Sequence, residues 1–139
     1  MEEPARHLLF HGVIIFLLGL FAGIPYARAI LKRKSESLIF AWRVAHSALC
    51  IGAILMFSLV PIVPLLSVDD KTVWTIAVLF IVSGYSFAAA LYIGPHVGSR
   101  GLSFKGSISK KLVYLCNISG AVTSTIGALV LLYGAWKSL

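Results

Sequence analysis

The sequence predicts an all-α integral membrane protein: an antiparallel bundle of four transmembrane helices that is expected to form a homo-oligomer. Three observations predict this class. Of the 139 residues, 59% are hydrophobic and 12% are charged, whereas a soluble domain has about 45–50% apolar and about 25% charged residues. The mean hydropathy is +0.95, which is more apolar surface than the core of so small a chain can bury. The apolar residues also form four long runs separated by short charged connections. Lipid is therefore the expected solvent.

Four apolar segments are long enough to cross a bilayer, whose core of about 30 Å is spanned by about 20 helical residues. They cover residues 8–30, 38–66, 72–95 and 112–136. Pro25 lies near the end of the first segment. Pro61 and Pro64 lie near the far end of the second, where a kink disrupts little. Because the connections are short, segments that are adjacent in sequence are expected to pack as antiparallel neighbours. We expect a single transmembrane domain over residues 1–139.

The charged residues lie mainly in the connections and predict an orientation. The net charge is +7, but the basic residues collect in loops instead of forming a face, so nucleic acid is not an expected partner. The first connection carries Lys32, Arg33 and Lys34, and the third carries Arg100, Lys105, Lys110 and Lys111. The second connection is acidic on balance. The positive-inside rule then places residues 31–37 and 96–111 in the cytoplasm and both termini outside. We expect an integral protein of a bacterial inner membrane.

Small residues recur every four positions in the third and fourth spans. Gly84 and Ala88 have this spacing, as do Gly120, Ser124 and Ala128 in turn. Such rows allow helices to approach closely in lipid. They are consistent with packing inside the bundle and with contacts between subunits.

The polar residues inside the spans exclude some functions. Residues 72–94 and 112–136 contain no acidic or basic side chain. This argues against a proton relay and against an ion-coupled transporter built on acidic sites. His7 and His11 are four residues apart on one helix face and could hold a metal. They lie at the outer interface, however, where a histidine can simply be hydrated.

His46 is a different case, because it lies about 12 Å along the second span from its start. It is either a neutral core histidine hydrogen-bonded to a neighbouring helix or a ligand of a metal or cofactor. Cys50 lies one turn further on, but no third or fourth ligand accompanies the pair, so a zinc site is poorly supported. A haem iron needs only one histidine. Arg43 lies three residues before His46 on the same face, and side chains lean toward the helix N-terminus. Arg43 and the third connection around Arg100 could therefore bind the propionates of a haem ligated by His46.

Three short motifs carry a family resemblance: "HGVIIFLLGLFAG" in the first span, "WRVAHSA" in the second and "SRGLSF" after the third. In their order and spacing they resemble styrene oxide isomerase and related small membrane isomerases, including hydroxylaminobenzene mutase. The resemblance implies a homotrimer with haem b near the subunit interfaces and His46 as the iron ligand. It implies that the iron acts as a Lewis acid on a small aromatic or apolar epoxide without net redox change. In the reaction that the resemblance implies, the C–O bond opens to a benzylic cation, and a hydride shift then gives the aldehyde.

Further residues fit this resemblance, with one departure. Tyr85 and Tyr92 are seven residues apart on one face of the third span, and either hydroxyl could bind the substrate oxygen. The family implies an asparagine six residues after the ligand histidine, but this chain has Gly52 there. Asn117 is the intramembrane asparagine that could replace it. Phe80 and Phe87 could line an apolar pocket; they and the two tyrosines could equally serve packing alone.

The sequence is also compatible with other function classes. A non-catalytic membrane haem b protein for electron transfer would usually hold the iron between two histidines, and His46 has no obvious partner in the membrane. A hydroxylaminobenzene mutase-type isomerase would act on a different substrate. A small transporter or assembly protein would need no cofactor.

Overall fold

The structure is a computed structural model that describes residues 2–139, and within that range it contains helices and connections but no strand. The four long helices are α1 (Glu3–Leu31), α2 (Glu36–Leu59), α3 (Asp70–Val97) and α4 (Ile108–Lys137), with a short 3-10 turn at Val63–Leu65. Each is long and apolar enough to cross a membrane. The all-α class with four membrane-length helices, predicted from the sequence, is confirmed.

Proline and glycine set several of the helix ends. α2 stops at Leu59, because Pro61 has no backbone N–H to donate to the carbonyl of Phe57 four residues earlier, and Pro64 then belongs to the short 3-10 turn. α3 ends with Gly98 in the left-handed conformation at a φ of 61°. This conformation strains a residue that has a Cβ and is common just after a helix. Pro25 and Pro95 instead lie inside α1 and α3.

The helices pack as two antiparallel hairpins, α1 with α2 and α3 with α4. α3 also packs against both α1 and α2, and the buried core lies among these three helices. Its fully buried large side chains include Leu8, Ile15, Leu49, Leu59 and Ile76. α4 is peripheral: 11% of the residues in its most apolar stretch are buried within the chain, compared with 33% in α3. Most of the α4 surface is thus free to contact lipid or another subunit.

A row of glycines on α1 lets α2 approach closely. A Cβ added at Gly19 would lie 2.8 Å from the sulfur of Cys50 and 2.9 Å from its backbone nitrogen. A Cβ at Gly12 would lie 2.9 Å from the ring of Phe57. The absence of these side chains brings the α2 backbone against α1 over several turns, and this contact positions His46.

Candidate functional site

His46 lies on the face of α2 that packs against α1. Its Nδ1 is 2.8 Å from the carbonyl oxygen of Gly19, and because a carbonyl can only accept, Nδ1 carries the proton. A Cβ at Gly23 would come within 3.3 Å of this nitrogen, so the glycine makes room for the ring. Tyr26 stacks on the imidazole with ring centroids 6.4 Å apart. Contacts from α1 therefore hold the half-buried ring and fix its tautomer.

The other ring nitrogen of His46, Nε2, is not engaged by the protein. Nε2 has no hydrogen-bond partner among residues 2–139. Within that range no buried side-chain nitrogen or oxygen lacks a partner, so Nε2 must reach the molecular surface. Metal-binding histidines usually donate one N–H to a carbonyl or carboxylate and offer the other nitrogen to the metal. The donor chemistry of His46 therefore fits an axial ligand of haem iron.

The two arginines expected to bind propionates lie together at the same end of α2. The guanidinium of Arg43 lies 5.1 Å from the centre of the Phe40 ring, and that of Arg100 lies 5.2 Å from it. Both side chains are exposed and line a cavity of about 490 Å³ that also includes Glu36. The connection after α3 thus adds a second cation one to two turns before His46. Two guanidinium groups in this position suit paired carboxylates.

Tyr85 and Tyr92 both contact α1. The hydroxyl of Tyr85 is 2.9 Å from Nδ1 of His11, and that of Tyr92 donates to the carbonyl of Leu18 at 2.6 Å. Each partner lies 74 positions earlier in the chain. The two separations are equal because α1 and α3 run in the same direction. The carbonyl that Tyr92 binds is adjacent to the one that His46 binds. Tyr92 therefore helps fix the stretch of α1 that orients the histidine.

An apolar cavity of about 570 Å³ lies between α2, α3 and α4. Gly52 and Asn117 both line it, so the structure brings together the position where the family implies an asparagine and the one intramembrane asparagine. Phe80 and Phe87 also line it, but Tyr85 and Tyr92 do not. Its size is in the range of small-molecule sites, about 300–1,000 Å³.

Three polar side chains line this cavity, and all their hydrogen-bond donors are engaged elsewhere. The amide nitrogen of Asn117 donates to the carbonyls of Arg100 at 3.0 Å and Gly101 at 3.5 Å. Ser83 donates to Gly120 at 2.9 Å, and Ser124 donates to Ala121 at 3.1 Å. The cavity can enclose an apolar ring, but without local rearrangement its own side chains offer no donor to an epoxide oxygen.

The cavity and the free nitrogen of His46 lie on different sides of α2. At about 100° per residue, Gly52 is about 120° around the helix from His46. His46 faces the groove with α1, whereas Gly52 faces α3 and α4. Within one chain, therefore, the candidate iron ligand and the candidate substrate cavity do not face each other.

Two features of the site were missed at the sequence level. Gly19 and Gly23 are four residues apart and form the surface on which His46 docks. The same four-residue spacing of small residues predicts close helix packing in the third and fourth spans, and it was not considered for the first span. Tyr26, which stacks on His46, had no distinguishing signal because it lies next to Pro25 near the end of its span.

The pair formed by His7 and His11 packs with aromatic residues. The rings of His7 and His11 stack with centroids 5.8 Å apart, and His7 also contacts Trp74. Among residues 2–139 there is no group of three or more histidine, cysteine or acidic side chains that could hold a metal ion.

Comparison with known proteins gives one finding. A family model described as styrene oxide isomerase matches residues 4–136, which is nearly the whole chain. No curated protein matches the chain.

Proposed function

Because the chain belongs to the styrene oxide isomerase family, we propose that it is a haem b-dependent membrane isomerase that opens an apolar aryl epoxide to an aldehyde. The family supports a styrene oxide isomerase-like function in general. The observation that carries the finer proposal is the state of His46, whose Nδ1 is held by the Gly19 carbonyl while its Nε2 is free at the surface.

The residues present fit a haem b. His46 would hold the iron through Nε2, and Arg43 and Arg100 would bind the propionates. When bound, the haem would supply a Lewis acid for the epoxide oxygen. The Gly19 carbonyl keeps the imidazole in one tautomer and orientation, as the outer partner of a metal-binding histidine does.

The apolar cavity is the proposed position of the substrate ring. Its wall is mainly leucine, isoleucine and phenylalanine, and with a substrate ring in place this apolar wall would exclude the water that would otherwise trap a benzylic cation as a diol. Asn117 lies in this wall, so of the three expected catalytic side chains it is the one closest to the proposed ring position. A catalytic role requires its amide to leave the carbonyl of Arg100 or Gly101. We propose that Tyr92 and Tyr85 act from the α1 side, near His46 and His11 respectively.

An assembly of several copies would bring the two sides of the site together. In one chain, His46 and the cavity point in different directions, so a head-to-tail contact would pack the His46 side of one copy against the cavity of the next. Such contacts form closed rings when the rotation closes, which supports the proposed homotrimer. The exposed surface of α4 is available for this contact. We further propose that the basic connections face the cytoplasm of a bacterial inner membrane and that both termini lie outside.

The test is the haem content of His46→Ala, with His11→Ala as the matched control. His46→Ala should lose nearly all haem, measured as the absorption band per mole of detergent-purified protein, because no other side chain replaces the ligand. His11→Ala should keep its haem, because His11 lies near the N-terminal end of α1, whereas His46 packs against Gly19 and Gly23 further along that helix. Full haem retention by His46→Ala, or a wild-type protein without haem, contradicts the proposed cofactor site.

Substrate assays on the wild-type protein separate the alternatives. A five-coordinate spectrum that changes on addition of styrene oxide, with formation of the aldehyde, supports the isomerase. A six-coordinate, low-spin spectrum without turnover supports an electron carrier instead. Turnover of an aryl hydroxylamine but not of an epoxide supports the mutase-type reaction.

A further inference from the structure

Gly52 differs from every other glycine of the chain in having no structural reason to lack a side chain. A Cβ added at any other helical glycine would come within 2.7 to 3.3 Å of another group, so those glycines permit close packing. These are Gly12, Gly19, Gly23, Gly84, Gly94, Gly120, Gly127 and Gly134. The three glycines in the connection after α3, Gly98, Gly101 and Gly106, have positive φ angles. At Gly52 an added Cβ would have no atom within 4 Å, and the residue is helical.

This glycine is unfavourable for the helix that contains it. Glycine in a helix interior is less stable than alanine because it loses more backbone entropy on folding. At Gly52 neither close helix packing nor a left-handed backbone compensates for that loss. The space next to Gly52 belongs to the apolar cavity of about 570 Å³ that it lines with Phe87 and Leu55. The absence of a side chain therefore enlarges this cavity and has no other visible consequence.

We propose that Gly52 determines substrate size and that it adapts the cavity to aryl epoxides bulkier than a single phenyl ring, such as those with a fused second ring. This inference rests on the proposed function for the identity of the substrate. A larger side chain at position 52 would point into the cavity and occupy the space that the second ring needs. Such a change would leave His46 untouched, because that residue lies on another side of α2.

The experiment compares two substrates across a graded series at one position. Wild type, Gly52→Ala and Gly52→Leu are assayed with naphthyl oxirane and styrene oxide. Gly52→Leu should lower the ratio of kcat/KM for the naphthyl substrate to that for styrene oxide by at least about tenfold, and Gly52→Ala by less. One methylene in an apolar pocket changes discrimination by about 10–200-fold. Ile54→Phe is the matched control, because it adds bulk on the lipid-facing side of the same helix, where Ile54 is 58% exposed.

The control and a binding measurement make each outcome informative. An unchanged ratio in Gly52→Leu, or an equal shift in Ile54→Phe, overturns the proposal. Helix content measured by circular dichroism confirms that each variant is folded. If no variant turns over any epoxide, the proposed function fails, and binding of the unreactive vinylnaphthalene decides the inference about Gly52. A concentration-dependent rise in Tm for wild type and Ile54→Phe but not for Gly52→Leu supports the size-determining role, and an equal rise in all three overturns it.

Discussion

The two helix hairpins use glycine in different ways. In α1–α2, a Cβ at Gly19 would meet the backbone nitrogen and the sulfur of Cys50. In α3–α4, a Cβ at Gly120 would meet the ring of Phe87 at 3.0 Å, and one at Gly127 would meet the ring of Phe80 at 3.3 Å. At Gly19 the first hairpin brings backbone close to backbone, although a phenyl ring, that of Phe57, faces Gly12. At Gly120 and Gly127 the second hairpin inserts phenyl rings into the notches that the glycines leave.

This difference explains where the polar and apolar parts of the candidate site lie. Close backbone approach exposes a helix carbonyl to a side chain of the neighbouring helix, and Gly19 offers its carbonyl to His46 in this way. Rings inserted at glycines leave hydrocarbon on the surrounding surface, and Phe80 and Phe87 line the apolar cavity. The α1–α2 hairpin therefore carries the candidate ligand, and the α3–α4 hairpin provides much of the cavity wall.

The largest expected effect on stability comes from adding a side chain at Gly19, where α1 contacts the backbone of α2. Gly19→Ala should lower the free energy of unfolding by about 2 kcal/mol, because overpacking costs about 1–3 kcal/mol and Cys50 N belongs to a helix backbone that cannot move alone. Gly120→Ala should change it by less than about 1 kcal/mol. There the Phe87 ring can turn away, and the gain in helix propensity offsets the crowding. Reversible unfolding in mixed micelles measures both values.

Haem content distinguishes Gly19→Ala from Gly120→Ala more sharply than stability does. Gly19→Ala should also reduce haem content, because it displaces the carbonyl that orients His46, whereas Gly120→Ala should not. If both variants lose equal stability and both keep their haem, then the backbone contact at Gly19 and the ring contact at Gly120 do not differ in their effect on the site.

The sequence predicts the membrane part of this fold better than its contacts. The four spans follow from hydropathy alone, yet α1 begins at Glu3 and α3 at Asp70, before the expected starts at residues 8 and 72. Helices extend beyond the apolar stretch wherever the chain has no reason to turn, and the hydropathy pattern does not register this. In α2, conversely, Pro61 ends the helix at Leu59 although the apolar run continues.

Within the site, residues on one helix were easier to predict than residues on two. The shared face of Tyr85 and Tyr92 follows from a spacing of seven, and both contact α1 as a shared face requires. The partner of His46 did not follow, because the Gly19 carbonyl is a backbone group that every residue possesses. The common cavity of Gly52 and Asn117 also depends on how α2 and α4 face each other across α3, which no local pattern encodes.

A smaller effect is expected where the hairpins meet. Tyr92→Phe should lower the free energy of unfolding by about 1 kcal/mol, as expected for one hydrogen bond, and should weaken haem retention, because Leu18 adjoins the acceptor of His46. Tyr85→Phe removes a similar bond to His11 but should leave haem retention unchanged. Equal haem retention in the two variants would mean that Tyr92 does not position the histidine.

The smallest effect is expected at the helix starts, where the hairpins differ again. The hydroxyl of Ser107 accepts from the backbone N–H of Lys110 at the start of α4, at 3.5 Å. Ser35 precedes α2 in the same way but makes no side-chain cap. Ser107→Ala should therefore cost about 0.5 kcal/mol, the low end for a lost cap because the bond is long, and Ser35→Ala should cost almost nothing. Amide exchange of the first turn of each helix measures this directly. Faster exchange in α4 of Ser107→Ala, with no change in α2 of Ser35→Ala, is the expected result, and equal protection loss in the two would remove the distinction between the helix starts.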